Sequence, residues 1–170
     1  MEKELGLKIS IEPLEEEHIE SFHQCLDYIA KERKYLAFIE APPLDSTRNF
    51  ILTNLSNNVP ALIAIFEGEV VGFCDIRPNQ LEGFKHSGTL GMGVHKKFRR
   101  HGIGQKLTEQ TISLAKQQGL ERIELEVFSS NIPAINLYKK LGFLVEGVKK
   151  NARKLDGVYD DLIEMALLIN

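Results

Sequence analysis

Apolar and polar positions change period along this chain, and each change predicts an element. Residues 7–12 (LKISIE) alternate, as a strand with one buried face does, and Pro13 closes the run. From 15 to 32, Ile19, Phe22, Leu26 and Ile29 recur at helical spacing. Glu15, Glu16 and Glu17 precede them, where acidic groups suit the positive end of a helix dipole. After a loop at 40–45 (EAPPLD), Asp45 or Ser46 is expected to cap a second helix running to about Asn57, with Phe50, Ile51 and Leu55 inward. The β-rich runs 60–66 and 70–77 flank Glu67-Gly68-Glu69 and predict a hairpin. A strand over about 85–94 leads into a helix at 102–118, with Ile103, Leu107 and Leu114 inward and Gly119 ending it. Residues 121–128 alternate strictly. Ser129-Ser130-Asn131 caps a short helix at 132–141, stopped by Gly142, and 143–150 and 157–168 form a last hairpin about Asp156-Gly157.

The order is β-α-α-β-β-β-α-β-α-β-β. Strand, helix and strand at 85–94, 102–118 and 121–128 make a right-handed unit whose strands run parallel. The flanking hairpins then predict an α/β fold with a mixed, mostly antiparallel sheet of six to seven strands. Connections are short and no repeat or linker interrupts them, so residues 1–170 are expected to form a single domain.

Composition narrows the function classes. A 170-residue chain that is 43% hydrophobic and 26% charged can bury a sizeable core. Its formal net charge of -3 argues against a surface that binds polyanions generally, so a phosphate site must be local and no nucleic-acid partner is expected. Residues 1–10 (MEKELGLKIS) lack a leader's apolar core, and no apolar run approaches the roughly 18 residues of a membrane helix. Cys25 and Cys74 stand alone and read as free thiols, which predicts a cytoplasmic protein. Histidines 18, 23, 86, 95 and 101 show no ligand spacing, and no metal is expected.

The most informative stretch is 94–104 (VHKKFRRHGIG), between a strand and a helix. Gly102 and Gly104 fall where a helix start leaves backbone N–H groups without partners, so an anion can approach closely along the helix dipole. Lys96, Lys97, Arg99 and Arg100 add local positive charge. A Walker loop is excluded because no Gly-Lys pair occurs, and a dinucleotide fingerprint fails because Lys96 stands where its third glycine belongs after Gly91 and Gly93.

Arg99-Arg100-His101-Gly102-Ile103-Gly104 matches the R/Q-x-x-G-x-G/A signature of the Gcn5-related N-acetyltransferase (GNAT) family. Asn131, Ala134 and Tyr138, followed by Leu141-Gly142-Phe143, resemble that family's second motif. The resemblance covers almost the whole chain and is strongest over 85–150. It implies helices on both sheet faces and a central parallel strand pair that splays apart to admit the pantetheine arm of acetyl-CoA. Met92, Gly93 and Val94 would line that gap, with backbone groups offered by Met92 and Val94. Arg99, Arg100, His101, Gly102, Ile103 and Gly104 would hold the pyrophosphate, and Asn131 would touch the cofactor. Gly91 and Gly93 read as thinning the strand for close approach.

By the same resemblance Tyr138 is the general acid for the departing thiolate. Glu126 is chosen as base through a water, because Glu124 and Glu126 share one face of 121–128 and Glu126 lies nearer the C-terminal end; Glu124 is the reserve. The acceptor is a primary amine. Its walls are expected from Tyr28, Tyr35, Phe38 and Glu40 on one side and Tyr159, Asp160 and Asp161 on the other, with Asp75 also able to face the cleft. A small-molecule amine is the first reading. Acetylation of a protein N-terminus or lysine, as by the ribosomal-protein-alanine branch, is the second, and a non-catalytic CoA-binding sensor the third. The resemblance also allows a homodimer.

Overall fold

The computed structural model describes residues 8–169. Seven strands, β1 Ser10–Pro13, β2 Ala61–Phe66, β3 Glu69–Pro78, β4 Ser87–Val94, β5 Arg122–Phe128, β6 Leu144–Leu155 and β7 Val158–Leu168, lie in one sheet in the order β1-β2-β3-β4-β5-β7-β6. Every neighbouring pair is antiparallel except β4–β5. Four helices cover it: α1 Ile19–Ala30, α2 Leu44–Ser56, α3 Ile103–Gln117 and α4 Ile132–Lys140. No helix among the described residues is long and apolar enough to cross a membrane.

Alternation along the strands builds two cores. On one face Phe22 and Ile29 of α1 and Ile51 of α2 pack with Ile63 and Phe73, the two phenyl rings 4.9 Å apart. On the other, Leu107 and Ala115 of α3 and Ile135 of α4 meet Cys74, Ile76, Ile123, Leu125 and Val127. Thr108 and Thr111 are buried in α3 because their hydroxyls donate to carbonyls one turn back, Gly104 and Leu107. In β5 the expected alternation holds, with Ile123, Leu125 and Val127 buried and Glu124 and Glu126 exposed.

Several boundaries differ from expectation, among them the first helix, which is a short turn at Glu16–His18 and then α1 from Ile19 to Ala30. The first strand starts at Ser10; residue 7 of the expected run lies outside the described residues, as do residues 1–7 of the leader reading. Neither Asp45 nor Ser46 caps α2. Pro43 holds that position with no side-chain bond, and Asp45 falls inside the first turn, where its charge still suits the dipole. β6 runs to Leu155 because Asn151, at φ 51°, absorbs a register shift between Lys149 and Arg153 and pairing with β7 then resumes.

The parallel pair is short. β4 and β5 meet only at Ser87↔Arg122, Gly88↔Ile123 and Thr89↔Glu124. Beyond that point β4 continues to Val94 paired with β3 alone, and β5 continues to Phe128 paired with β7 alone. The middle of the sheet is therefore forked.

Candidate active site

The direction of the backbone at the fork follows from the ladder. His95 N–H donates to Val71 C=O at 2.8 Å, and this pair continues the β3–β4 register that places Gly93 opposite Phe73 and Gly91 opposite Asp75. Hydrogen-bonded and non-bonded pairs alternate in an antiparallel ladder. Gly91 and Gly93 thus turn their amide groups to β3, while Leu90, Met92 and Val94 turn theirs toward the fork. The structure brings Met92 and Val94 to the opening in the orientation an added strand would need.

Gly93 is a glycine for another reason than the one expected. A Cβ there would stand 2.7 Å from Phe73 Cζ and 3.1 Å from Ile29 Cδ1, so the missing side chain makes room for the core under α1. Gly91 differs, since a Cβ there would meet only the Asp75 carboxylate and Arg77 at ordinary distances, from 3.6 Å.

At the end of β4 the chain turns through 96–98 into the start of α3. Arg100 (φ 64°) and Gly102 (φ 74°) both take left-handed backbone. Gly102 ends the loop with no side-chain cap, so the first amides of α3 at Ile103, Gly104 and Gln105 have no intrahelical acceptor. Left-handed residues among successive free amides form an anion-binding concavity. Arg100 and His101 are exposed at its rim. Gly104 lies between the fork and α4, the place of its Cβ being 3.5 Å from Met92 Cε and 3.6 Å from Leu137 Cδ2.

Arg99 does not lend its charge to that concavity. Its Nη1 and Nη2 donate to Glu32 at 2.9 and 2.5 Å, its Nε donates to Val94 C=O at 2.8 Å, and its guanidinium lies 4.6 Å from the Tyr35 ring centre. Tyr28 stacks on His95 at 3.7 Å. The expected acceptor-wall tyrosines therefore brace the strand end and the loop.

Tyr138 sits on α4, 6% exposed and 5.6 Å from the Phe143 ring, on the α3–α4 side of the sheet. Burial pushes its phenol well above the ordinary value, so it keeps its proton at neutral pH. Asn131 is the N-cap of α4, its Oδ1 accepting from Ala134 N–H at 3.4 Å. Glu126 points to the opposite face. Its half-exposed carboxylate pairs with Lys149 at 2.7 Å, and Lys149 also reaches Glu164 at 3.0 Å. These bonds hold the Lys149 ammonium above its ordinary value. Glu126 and Glu124 line a cavity of about 530 Å³ with Arg77, Thr89, Glu146 and Glu164. Arg122 occupies Glu124 at 2.7 Å and Glu146 as well.

Two expected wall residues are already saturated. Asp160, 9% exposed, accepts from the Ser129 and Ser130 hydroxyls, from Ser130 N–H and from Arg153. Burial opposes its charge, but those donors prevail and hold the carboxyl below its ordinary value. Asp161 accepts from Lys150 and from Asn151 N–H.

Asp75 is 8% exposed, and burial pushes its carboxyl up to about 6 in spite of Arg77. Arg77 was not singled out by sequence. The available signal was two charges, at 75 and 77, on one face of an otherwise apolar strand.

A family model described as "Acetyltransferase (GNAT) family" matches residues 15–143. Among characterised proteins, the L-amino acid N-acetyltransferase AaaT of Escherichia coli K12 is 34% identical over 109 residues, covering 64% of this chain and 67% of that protein. The [ribosomal protein bS18]-alanine N-acetyltransferase of Salmonella typhimurium is 35% identical over 81 residues, covering 48% of this chain and 55% of that protein. The matched stretches thus span from about half to two thirds of those relatives. Among solved structures, the GNAT superfamily phosphinothricin acetyltransferase from Sinorhizobium meliloti in complex with AcCoA superposes with a TM-score of 0.89 at 16% identity, over 95% of this chain and 89% of that one. With three quarters of its length matched by the family model and its fork, cradle and topology in place, this chain belongs to the acetyltransferase (GNAT) family.

Proposed function

We propose that this protein moves an acetyl group from acetyl-CoA to the primary amine of a small molecule, by direct attack in a ternary complex, in the cytoplasm. The observation that carries the reading is the fork. It leaves the N–H and C=O of Met92 and the N–H of Val94 without a strand partner along an edge that ends at the α3 cradle, the Val94 carbonyl being held by Arg99. A thioester arm with a diphosphate at its far end fits both parts, the arm as an added strand and the diphosphate on the free amides.

Acetyl-CoA supplies the activated acetyl group; the chain supplies position and protons. Val94 N–H donates to the carbonyl oxygen where negative charge develops. Tyr138, held protonated by burial, donates to the departing sulfur. Glu126, through a water, takes a proton from the amine on the open face. Asn131, Arg100, His101, Gly102, Ile103 and Gly104 complete the cofactor contacts. Each proton-transfer group contributes about 10²–10⁴-fold, so losing either slows turnover without abolishing it.

A small acceptor is favoured over a protein N-terminus by one contact set. The loop after α1, which packs on β3 and β4, reaches the far hairpin: Arg33 binds Asp156 at 2.7 Å, and Arg153 Nη1 donates to Lys34 C=O at 3.2 Å. This bridge ties the segment after α1 to the β6–β7 hairpin and so narrows the approach from that side, which suits a small acceptor better than a peptide. The test is thiol release from acetyl-CoA with small amines and with peptides. Turnover with small amines is expected; turnover with peptides alone contradicts the reading.

A further inference from the structure

We infer that Asp75 and Arg77 of β3 are the acceptor-recognition pair of this site, Asp75 taking the ammonium and Arg77 the carboxylate of a free α-amino acid; this rests on the acetyltransferase reading above.

The first reason is the position of a charge in a buried strand. β3 is covered on both faces from Val70 to Ile76, and Asp75 is 8% exposed within it. An ionised carboxyl there opposes folding unless a partner compensates it. The second is what lies beside it. In register Asp75 faces Ala61 of β2, with only a methyl group, and Gly91 of β4, with no side chain. The place of a Cβ on Gly91 is 3.6 Å from Asp75 Oδ2 and 3.7 Å from Arg77 Nη2. Both charged groups therefore stand over a spot without a side chain, two residues past the last β4–β5 pairing at Thr89, where the fork begins. Gly91 is half-buried, so the spot is reachable.

The third reason is unused bonding capacity. Arg77 Nε lies 2.9 Å from Asp75 Oδ1, but off the line of a hydrogen bond, and Oδ1 is a buried oxygen with no hydrogen-bond donor. The Arg77 side chain is 44% exposed and lines the same cavity as Glu124 and Glu126. Oδ2 of Asp75 and Nη2 of Arg77 are the atoms nearest the open place at Gly91, and an opposed pair set so complements a ligand whose ammonium and carboxylate share one carbon. A polyamine lacks an anion for Arg77 and is repelled by it. A peptide N-terminus lacks the adjacent carboxylate.

The chemistry is consistent with this placement. One proton of the bound ammonium passes through the water to Glu126, which leaves a neutral amine resting on Asp75. As the N–C bond forms and the C–S bond breaks, the sulfur takes the Tyr138 proton, and the second proton shed by the nitrogen restores the Tyr138 phenol. The product keeps its carboxylate for Arg77 but has lost the cation that Asp75 held, which favours release.

The test is steady-state kinetics with a panel of α-amino acids and their amides, acetyl-CoA binding being followed separately by calorimetry. The wild type is expected to use at least one free amino acid more than tenfold better, in kcat/KM, than its amide. Arg77→Gln should remove that preference. Asp75→Asn should raise the amino-acid KM more than tenfold and leave the acetyl-CoA KM unchanged. Gly91→Ala, whose added Cβ meets only ordinary contacts, should keep the fold and raise the amino-acid KM likewise. Amides used as well as acids, no amino acid used at all, or variants indistinguishable from wild type would overturn the inference. Absence of acetyl-CoA binding by the wild type would instead remove the acetyltransferase reading, and this inference with it.

Discussion

Arg99 grips Glu32 at two points, 2.9 and 2.5 Å, while its Nε closes on the carbonyl of Val94 at 2.8 Å. One side chain thus ties the end of α1 to the last residue of β4 and to the entry of the cradle. Both partners are largely covered, at 27% and 16% side-chain exposure, so the bond is less screened than a surface pair. Glu32→Gln keeps the shape and removes the charge. It should lower stability by about 1–2 kcal/mol, or roughly 2–8 °C in Tm for a chain of this size. An unchanged Tm would show that the bridge is only a surface contact.

The Asp75 carboxyl is shifted in the opposite sense to those of Asp160 and Asp161, which their donors hold below the ordinary value. Its folded value, about 6, lies above the ordinary 3.8, so the folded protein binds its proton more tightly than the unfolded chain does. Its contribution to stability is fully present below about pH 4 and is lost as pH rises through about 6. The upper limit of that loss is about 3 kcal/mol. Asp75→Asn should therefore raise Tm at pH 8 by several degrees, with the advantage gone by pH 4, even as amino-acid use falls. Thermal unfolding at the two pH values checks this, and a less stable variant at pH 8 contradicts it.

Cys25 and Cys74 are 3% and 1% exposed, and burial pushes both thiols up to about 12. Thiols so held are poor nucleophiles, which agrees with direct transfer without an acyl-cysteine. Iodoacetamide at pH 8 should leave the native mass and activity unchanged and add two groups only after unfolding. Rapid modification with loss of activity would point to a cysteine in the chemistry.

Tyr138→Phe should lower kcat by about 10²-fold or more while acetyl-CoA affinity stays close to wild type. The two measurements together separate a proton donor from a packing aromatic. Equal loss in both would make Tyr138 a wall of the cofactor site only.

Much of this molecule was legible in the sequence because its signals are local. The alternation of Ile123, Leu125 and Val127, the turn at Glu67-Gly68, and the glycines that open α3 each follow from neighbours in the chain. The fork was expected only through family resemblance, since no pattern within β4 or β5 says where their pairing stops. The occupants of charged groups were not legible. Arg99 was expected to face a phosphate and instead meets Glu32, 67 residues away; Asp160 was expected in an acceptor wall and is enclosed by Ser129, Ser130 and Arg153. Gly93 was expected to serve a ligand and serves Phe73. Such partners come from tertiary packing, which local spacing does not encode. Arg77 was missed for the same reason: its significance depends on Gly91 of the next strand.

The central claim is that an arm of acetyl-CoA adds itself as a strand along the free edge of β4. Amide hydrogen exchange resolved to single residues, with and without acetyl-CoA, tests it most directly. Protection should rise sharply at Met92 and Val94, whose N–H groups face the fork, and stay nearly constant at Gly91 and Gly93, whose N–H groups already bond to β3. Protection that rises equally at all four, or at none while acetyl-CoA is bound, would contradict the account.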